Sequence, residues 1–238
     1  MRRLIAPLAR KLLPSDFRLY LRTRRIDGHF RLRTPDRIFL EDRVLPWLRD
    51  EARVKSVLDI GCDWYTRSYP ELLKAERYET IDLDPEKARH ASGDRHHVGS
   101  LLELDRHCER GAFDLVICNG VFGWGVNGRE KIAAAAGQIA GVMRPGGWLV
   151  LGWNDVEPWR PECLKSFDAA PFARAEFPPE GTDTHRTATK SQHTYRFFRR
   201  WAGEVIAAMT LFIYSVFNRL RWDEEPILNG CTCVCSVW

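Results

Sequence analysis

The sequence VLDIGC at residues 57–62 constrains the fold more than any other stretch of the chain. It is a short apolar run that carries Asp59 near its end and stops at Gly61. Such a run is typical of a strand buried in a parallel sheet. Glycine allows a tight turn and a close approach of the backbone to a ligand. Because open α/β sheets bind ligands beyond the carboxyl ends of their strands, this pattern predicts a ligand site at the turn.

Further apolar runs alternate with segments that have helical features. The predicted strands cover residues 55–60, 78–82, a short run ending near Val98, 113–119 and 148–153. The predicted helices cover 38–53 with an interruption at Pro46, 69–75, the segments capped by Asp84 and Ser100, and 129–143. Regular alternation of strand and helix is typical of an α/β fold. It predicts a doubly wound, mostly parallel, Rossmann-like sheet.

Composition and pattern change along the chain and suggest its organisation. Residues 1–37 are expected to form a basic helical extension, and residues 38–238 the main domain. Within that domain, residues 155–192 are rich in proline, threonine and charge, which favours a long insertion or lid. Residues 226–238 are expected to form a closing strand.

The charge of the chain is concentrated at its beginning. Residues 1–53 hold 14 basic and seven acidic residues, whereas the whole chain has a net charge of +4. A basic extension favours an anionic partner, either a membrane surface, a nucleic acid or an acidic substrate, and a solvated charged face is the alternative. Leu4, Ile5, Leu8 and Leu12 share one helical face, which fits an interfacial helix, a transit peptide or a docking helix. We favour an anionic membrane surface over nucleic acid.

The seven cysteines do not form the pattern of a disulfide framework or a zinc site, because a zinc site would need C-x-x-C pairs with distant partners and the sequence has no such pair. Cys231, Cys233 and Cys235 alternate, so they would share one face of a strand as small buried apolar residues. The apolar stretch at 205–217 is too short to span a bilayer. The sequence therefore predicts a cytoplasmic location, with membrane contact limited to the basic extension.

Five segments, taken in order, resemble the motifs of the class I S-adenosylmethionine-dependent methyltransferases. They are VLDIGC at 57–62, YETIDLDP at 78–85, VGSLLEL at 98–104, FDLVICNGVFGW at 113–124 and MRPGGWLVLGWND at 143–155. The resemblance covers the chain from about Val54 to Asp155. It implies the class I methyltransferase fold, S-adenosylmethionine as the cofactor and methyl transfer as the activity.

The resemblance also implies a set of cofactor-binding residues. A carboxylate at the end of the second strand can accept hydrogen bonds from both ribose hydroxyls. Asp82 follows Asp59 by 23 positions, close to the spacing in related nucleotide folds, about 20 residues. Asp84 precedes Pro85 and is the better helix cap. The other implied residues are Asp59 and Gly61 at the amino-acid end, Ser100 and Leu101 at the adenine, Asn119 and Gly120 under the methionine portion, and Cys62 and Leu83 as further cofactor-binding residues. A purely capping role for Ser100 is an equal alternative.

The first motif departs from the D-x-G-x-G-x-G pattern of this family. Asp63 and Tyr65 stand at two positions where glycine is usual. Aspartate tolerates a left-handed backbone at residue 63, whereas Tyr65 fits such a loop less easily, and its ring is expected to cover the site. The lack of a G-x-G-x-x-G sequence argues against a nicotinamide-dependent dehydrogenase.

Transfer to a hydroxyl group requires a base that takes its proton, and His193 is the candidate catalytic residue. Trp124, Asn154 and Tyr195 are expected to bind the acceptor. The acceptor expected is a small molecule, a glycan or a lipid-linked intermediate, and its hydroxyl group is the expected site of methylation.

Two alternatives remain open. Asn119, Asn154 and Asp155 could hold a divalent cation, but hard cations favour more carboxylates, and we expect no metal. The chain could also be a non-catalytic protein that resembles a methyltransferase and binds a membrane or nucleic acid through its basic extension.

Overall fold

The computed structural model describes residues 23–26, 28–162, 164, 167 and 171–201. Most of the basic extension, the predicted closing strand and the three alternating cysteines lie outside the described residues. In the part of the chain that is described, no helix is long and apolar enough to cross a membrane.

A hairpin and a helical stretch precede the main sheet. They comprise β1 (Thr23–Ile26), β2 (His29–Leu32), α1 (Pro35–Phe39), a π-helical turn (Leu40–Val44) and α2 (Leu45–Asp50). The stretch begins and ends a few residues before the predicted helix at 38–53, so the expected boundary at residue 37 falls within α1. The backbone N–H of Leu45 bonds to the carbonyl of Leu40, which widens the helix just before Pro46. Proline has no N–H to donate, so it interrupts regular helical bonding here.

The main sheet contains eight strands. They are β3 (Ser56–Ile60), β4 (Arg77–Asp82), β5 (Arg95–Val98), β6 (Phe113–Asn119), β7 (Met143–Asn154), β8 (Phe172–Arg174), β9 (Thr184–Arg186) and β10 (His193–Arg200). Their spatial order is β5-β4-β3-β6-β7-β10-β8, and β9 also pairs with β10. The first five strands of this order are parallel, and β10 is antiparallel to its three partners. The predicted mostly parallel α/β sheet is confirmed.

Helical segments connect the parallel strands on both faces of the sheet. They are α3 (Tyr69–Leu73), two 3-10 helices (Pro85–His90 and Leu101–Arg106) and α4 (Arg129–Val142). One apolar cluster packs under α4, and a second packs under the stretch from α1 to α2. All five residues of β3 are buried between these two layers, as the unbroken apolar run predicted.

The strand after α4 is longer than the sequence predicted. Pro145, Gly146 and Gly147 were expected to separate the helix from the strand, but β7 begins at Met143 and includes them. The pairing with β6 shifts in register within this stretch. A Cβ atom on Gly147 would lie 3.0 Å from the carbonyl oxygen of Asp114, so a side chain would crowd the bulge. The glycine therefore serves a close strand contact rather than a turn.

The segment 155–192, predicted as a lid, divides into two parts. Its later part contributes β8 and β9, which pair with β10 and extend the sheet away from β7. Its first part returns to the carboxyl edge of the parallel strands, where Trp159 stacks on Trp124. Only this first part lies at the position where a lid was expected.

Candidate functional site

A cavity of about 440 Å³ opens at the carboxyl ends of β3, β4 and β6. Nine of the predicted site residues line it: Gly61, Cys62, Asp82, Leu83, Ser100, Leu101, Asn119, Gly120 and Trp124. The other four predicted residues, Asp59, Asn154, His193 and Tyr195, are not among its lining residues. Separate turns of the chain thus form one concave surface, as expected for the edge of an open parallel sheet.

The turn after β3 requires glycine at one position only. Gly61 has a φ of +87°, and a Cβ atom there would lie 3.2 Å from Val121. Its N–H bonds to the carbonyl of Ile81 at 2.9 Å, which holds the turn against β4. Aspartate would tolerate a left-handed backbone at residue 63, but neither Asp63 nor Tyr65 has a positive φ. The two positions therefore tolerate side chains.

The side chains that replace glycine in this turn are both held in place at the cavity. Asp63 accepts a 2.7 Å hydrogen bond from the Lys87 ammonium group. The ring of Tyr65 lies 4.7 Å from the guanidinium carbon of Arg37, a cation–π contact. Both residues line the cavity, so Tyr65 lies where its ring was expected to cover the site.

The two carboxylates after β4 have separate roles. Asp82 accepts hydrogen bonds from the backbone N–H groups of Cys62 (3.2 Å) and Asp84 (2.9 Å), and it faces the cavity. Asp84 instead accepts from the N–H of Glu86 at 2.9 Å, which caps the 3-10 helix that follows. The capping role predicted for Asp84 is confirmed. Asp82 keeps lone pairs that can accept hydrogen bonds from a ligand.

The wall after β5 combines a polar cap with apolar surface. The Ser100 hydroxyl accepts a 3.1 Å hydrogen bond from the N–H of Leu102, so the capping interpretation of this serine is confirmed. Ser100 and the buried Leu101 also line the cavity. Leu83 lies in the same lining and is 72% exposed, which leaves apolar surface available for a planar ligand.

Asp59 lies within the sheet and does not line the cavity. It is 2% exposed, and its carboxylate accepts a 2.9 Å hydrogen bond from the Tyr78 hydroxyl. Burial raises the pKa of Asp59 to about 7, although the Tyr78 hydrogen bond opposes this shift. Its expected direct contact with the amino-acid end of the cofactor is therefore corrected to a supporting position beneath the turn.

His193 lies behind the cavity wall, at the start of β10. Its Nδ1 is 2.7 Å from the Asn154 side-chain oxygen, and its Nε2 is 2.9 Å from that of Asn119. Burial lowers the pKa of His193 to about 4, so its imidazole is neutral. A neutral imidazole has one N–H, so one of the two amides presents its NH₂ group to the ring. The position does not fit a base that contacts an acceptor in the cavity, which corrects the expectation for His193.

The hydrogen bonds of His193 continue to α1. The Asn119 amide donates to the Tyr195 hydroxyl at 3.3 Å, and that hydroxyl donates to the carbonyl of Asp36 at 3.2 Å. A side chain at Gly152 would collide with Asn119, so this glycine makes room for the contact with His193. Asn154 and Tyr195 thus belong to a buried chain that fixes the Asn119 amide at the cavity wall. This corrects their expected contact with the acceptor.

Arg37 is a site residue that the sequence analysis missed. It is 9% exposed, it lines the cavity, and its guanidinium donates a 2.7 Å hydrogen bond to the Tyr69 hydroxyl. Its nearest carboxylate, that of Asp36, is 3.8 Å away. A buried cation at a cavity wall favours an anionic ligand group. No local pattern distinguishes Arg37 from the other arginines of the basic extension.

An aromatic pair stands at the mouth of the cavity. The rings of Trp124 and Trp159 stack with centroids 3.7 Å apart, and they are 55% and 36% exposed as residues. A side chain at Gly123 would collide with the backbone of Trp159, so this glycine lets the two segments approach. Exposed stacked indoles offer a flat apolar surface to a second ligand.

The alternative cation site at the ends of β6 and β7 has a different arrangement. Asp155 forms ion pairs with Arg160, at 2.9 Å, and with Arg186. Asn119 and Asn154 are both hydrogen-bonded to His193. These oxygens serve internal contacts rather than a common centre.

Comparison with known proteins gives a family for the sequence and relatives for the fold. Residues 58–151 match a family model described as a methyltransferase domain. The N-methyltransferase NodS from Bradyrhizobium japonicum WM9 superposes with a TM-score of 0.53 and 17% identity, over 71% of this chain and 99% of that chain. Its complex with S-adenosyl-L-homocysteine gives 0.51 and 17%, over 70% and 93%. A structure described as StiE O-MT residues 961–1257 gives 0.51 and 12%, over 72% and 77%.

The comparison with curated protein sequences gives no match. At these identities the solved structures show the shared fold, while the family model identifies the motif-bearing segment from β3 to β7. The family match covers residues 58–151, and the turns that line the cavity at the ends of β3, β4 and β6 lie within this segment. Residues 58–151 thus form a methyltransferase domain, with S-adenosylmethionine as its cofactor.

Proposed function

We propose that this methyltransferase transfers the methyl group of S-adenosylmethionine to a hydroxyl group of a small molecule, a glycan or a lipid-linked intermediate. The observation that supports it best is the single cavity in which Asp82, the wall from Ser100 to Leu101, and Asn119 converge. Methyl transfer is a displacement at an activated carbon, so alignment of donor and acceptor supplies much of the rate.

In this proposal the cofactor lies across the ends of the strands. Asp82 accepts hydrogen bonds from the ribose hydroxyls, because its backbone donors hold the carboxylate toward the cavity. Leu83 and Leu101 enclose the adenine with apolar surface, next to the cap at Ser100. The methionine portion passes Gly61 and Cys62 and reaches Asn119 and Gly120, which places the methyl group near the mouth.

We assign Arg37 to the carboxylate of the methionine portion. The guanidinium is buried, and the one carboxylate of the described residues within ion-pair distance of it, that of Asp36, is 3.8 Å away, so a ligand carboxylate would add a closer counter-charge. The cation–π contact with Tyr65 and the hydrogen bond to Tyr69 fix the direction of the guanidinium. Tyr65, which stands at the third glycine position of the motif, thereby helps to orient Arg37 toward the cofactor.

The acceptor approaches over Trp124, whose indole is stacked on Trp159 at the cavity mouth. His193 acts in this proposal as a positioning residue, because it fixes the Asn119 amide without reaching the cavity itself. NodS is described as an N-methyltransferase and StiE O-MT as an O-methyltransferase, so the shared fold leaves the acceptor atom to experiment. The alternative of a non-catalytic scaffold finds no support in these comparisons.

Transfer of a labelled methyl group tests the proposal. Purified protein is incubated with S-adenosylmethionine labelled in its methyl group and with fractionated extract from the source cells. We expect label in a fraction that contains hydroxylated small molecules, glycans or lipids, and less label with the Asp82→Ala variant at a limiting cofactor concentration. Cofactor binding without label transfer to any fraction would overturn the catalytic proposal, and label on an amine would overturn the choice of a hydroxyl.

A further inference from the structure

The cavity wall that we assign to the adenine lies between two residues, His97 and Cys108, that do not line the cavity. Residues 98–107 contain the cavity-lining stretch Gly99–Leu102. His97 directly precedes this segment at the end of β5, and Cys108 directly follows it. Both side chains reach Glu79 of β4, so three elements meet at one point under the edge of the sheet.

The three side chains form a compact and buried group. One ligand atom from each of Glu79, His97 and Cys108 lies within 4.8 Å of the others. The Nε2 atom of His97 is 2.7 Å from one carboxylate oxygen of Glu79, and the two side chains are 9% and 5% exposed. Cys108 is 7% exposed as a residue. In the described part of the chain, no other group of three histidine, cysteine or acidic side chains comes together in this way.

A hydrogen bond from a neighbouring arginine also holds the Glu79 carboxylate in the way that is common for metal ligands. Arg77 donates a 2.7 Å hydrogen bond to one carboxylate oxygen, Oε1, and leaves Oε2 directed at His97. Carboxylates that bind metals are commonly held by such an outer hydrogen bond. A histidine–glutamate ion pair would account for two of the three groups, but it would not require the Cys108 thiol beside them.

We propose that Glu79, His97 and Cys108 bind a zinc-class divalent cation at a structural site outside the cofactor cavity. Carboxylate oxygen, imidazole nitrogen and thiolate sulfur are the donor types that zinc takes, and water would complete a four-coordinate site. Binding releases the Cys108 thiol proton to solvent, the His97 Nε2 atom binds the ion while the imidazole proton lies on Nδ1, and no electron is transferred. The ion would fasten both ends of the adenine-facing segment 98–107 to β4.

The metal content of the full-length chain tests this proposal independently of methyl transfer. Protein purified without chelator is analysed by mass spectrometry, and we expect about one zinc per chain. Titration of the metal-free protein with Co²⁺ is expected to produce a thiolate-to-cobalt charge-transfer band. Absence of both tight zinc binding and this band from the wild-type protein would overturn the proposal without any variant being made.

Matched variants locate the ion. Cys108→Ser and His97→Gln are expected to lose the bound metal, whereas Cys118→Ala and His90→Gln, which change residues outside the group, are expected to retain it. A variant with serine at Cys231, Cys233 and Cys235 controls for binding by those three thiols. Full retention of metal by Cys108→Ser, or its loss from this last variant, would overturn the assignment. Thermal unfolding of each variant confirms that it is folded.

Discussion

The parallel strands and the antiparallel strand β10 bring their residues to the site in different ways. Residues after β3, β4 and β6 emerge at one edge of the sheet, and their turns line the cavity. β10 starts at the same edge because it runs antiparallel to β7, with His193 opposite Asn154. Its first side chain nevertheless packs behind the cavity wall. Position at this edge of the sheet thus brings a residue near the cavity, but His193 shows that the contacts of its side chain decide whether it lines the cavity.

The Asp82→Ala variant tests the residues that follow the parallel strands, and its expected effect is the largest. Loss of a charged acceptor for the ribose hydroxyls is expected to weaken cofactor binding by roughly 1–3 kcal/mol. Asp84→Ala is the matched control, because it removes only a helix cap and is expected to lower the free energy of unfolding by about 1 kcal/mol. Calorimetry with S-adenosyl-L-homocysteine measures the first effect, and equal losses of affinity in both variants would refute the assignment of Asp82.

The Arg37→Met variant tests whether the helix before the sheet contributes to the same site. We expect it to weaken binding of S-adenosyl-L-homocysteine by roughly 1–3 kcal/mol, since a charged hydrogen bond is lost. Methylthioadenosine lacks the amino-acid end and serves as the control ligand, whose affinity is expected to stay the same. Parallel weakening of both ligands would show that Arg37 supports the fold rather than the carboxylate.

Variants of His193 test the contribution of the antiparallel strand β10. If His193 positions Asn119, then His193→Ala is expected to lower turnover while cofactor affinity stays within about twofold. His193→Gln, which retains a hydrogen-bonding amide, is expected to recover part of the turnover. Because burial lowers the pKa of His193 to about 4, its titration is not expected in the pH profile of turnover near neutrality. A group that titrates near pH 6.5, the ordinary histidine value, and disappears in His193→Gln would restore the role of a base.

The pH dependence of the free energy of unfolding distinguishes buried His193 on β10 from buried Asp59 on β3. The folded-state pKa of His193 lies below its ordinary value of 6.5, so the unfolded chain binds more protons between about pH 4 and 6.5. The wild type is therefore expected to lose stability relative to His193→Gln as the pH falls through this range. Chemical denaturation at several pH values measures this loss, and an unchanged difference between the two proteins would contradict the buried neutral imidazole.

Asp59 is expected to have the opposite effect. Its folded-state pKa of about 7 lies above its ordinary value of 3.8, so the folded chain binds more protons between these values. Relative to Asp59→Asn, the wild type is expected to lose stability as the pH rises from about 4 to 7. The same denaturation series tests both groups. If the stability of the wild type relative to each variant changed in the same direction with pH, these assignments would be contradicted.

The smallest effect is expected from removal of residues 1–22, which leaves a chain that begins at β1. Cofactor affinity is expected to stay unchanged, because Arg37 and the other residues that line the cavity are retained. We propose that association with anionic liposomes falls, and that in the full-length chain it weakens with added salt. Sedimentation with liposomes measures it, and binding that is unaffected by the deletion would show that the basic extension is a solvated surface.

The sequence was sufficient where chemistry and backbone position are set by neighbouring residues. Asp84 before Pro85 and Ser100 before Leu101 were recognised as caps, since capping depends on residues two or three positions away. Gly61 was recognised as the turn that needs glycine. The fold itself followed from the order of apolar runs.

The sequence was insufficient where contacts join distant segments. Asn119 meets His193 across 74 positions, and Arg37 meets Tyr69 across 32 positions. Neither contact leaves a periodic or local pattern, so Arg37 was missed and His193 was assigned to the cavity.

A crystal structure of the full-length chain with S-adenosyl-L-homocysteine would show where the cofactor binds. We expect the ligand in the cavity at the ends of β3, β4 and β6, with both ribose hydroxyls within hydrogen-bonding distance of Asp82 and the carboxylate at Arg37. His193 should remain behind Asn119 without contacting the ligand. A ligand bound elsewhere, or ribose hydroxyls without a contact to Asp82, would contradict this expectation.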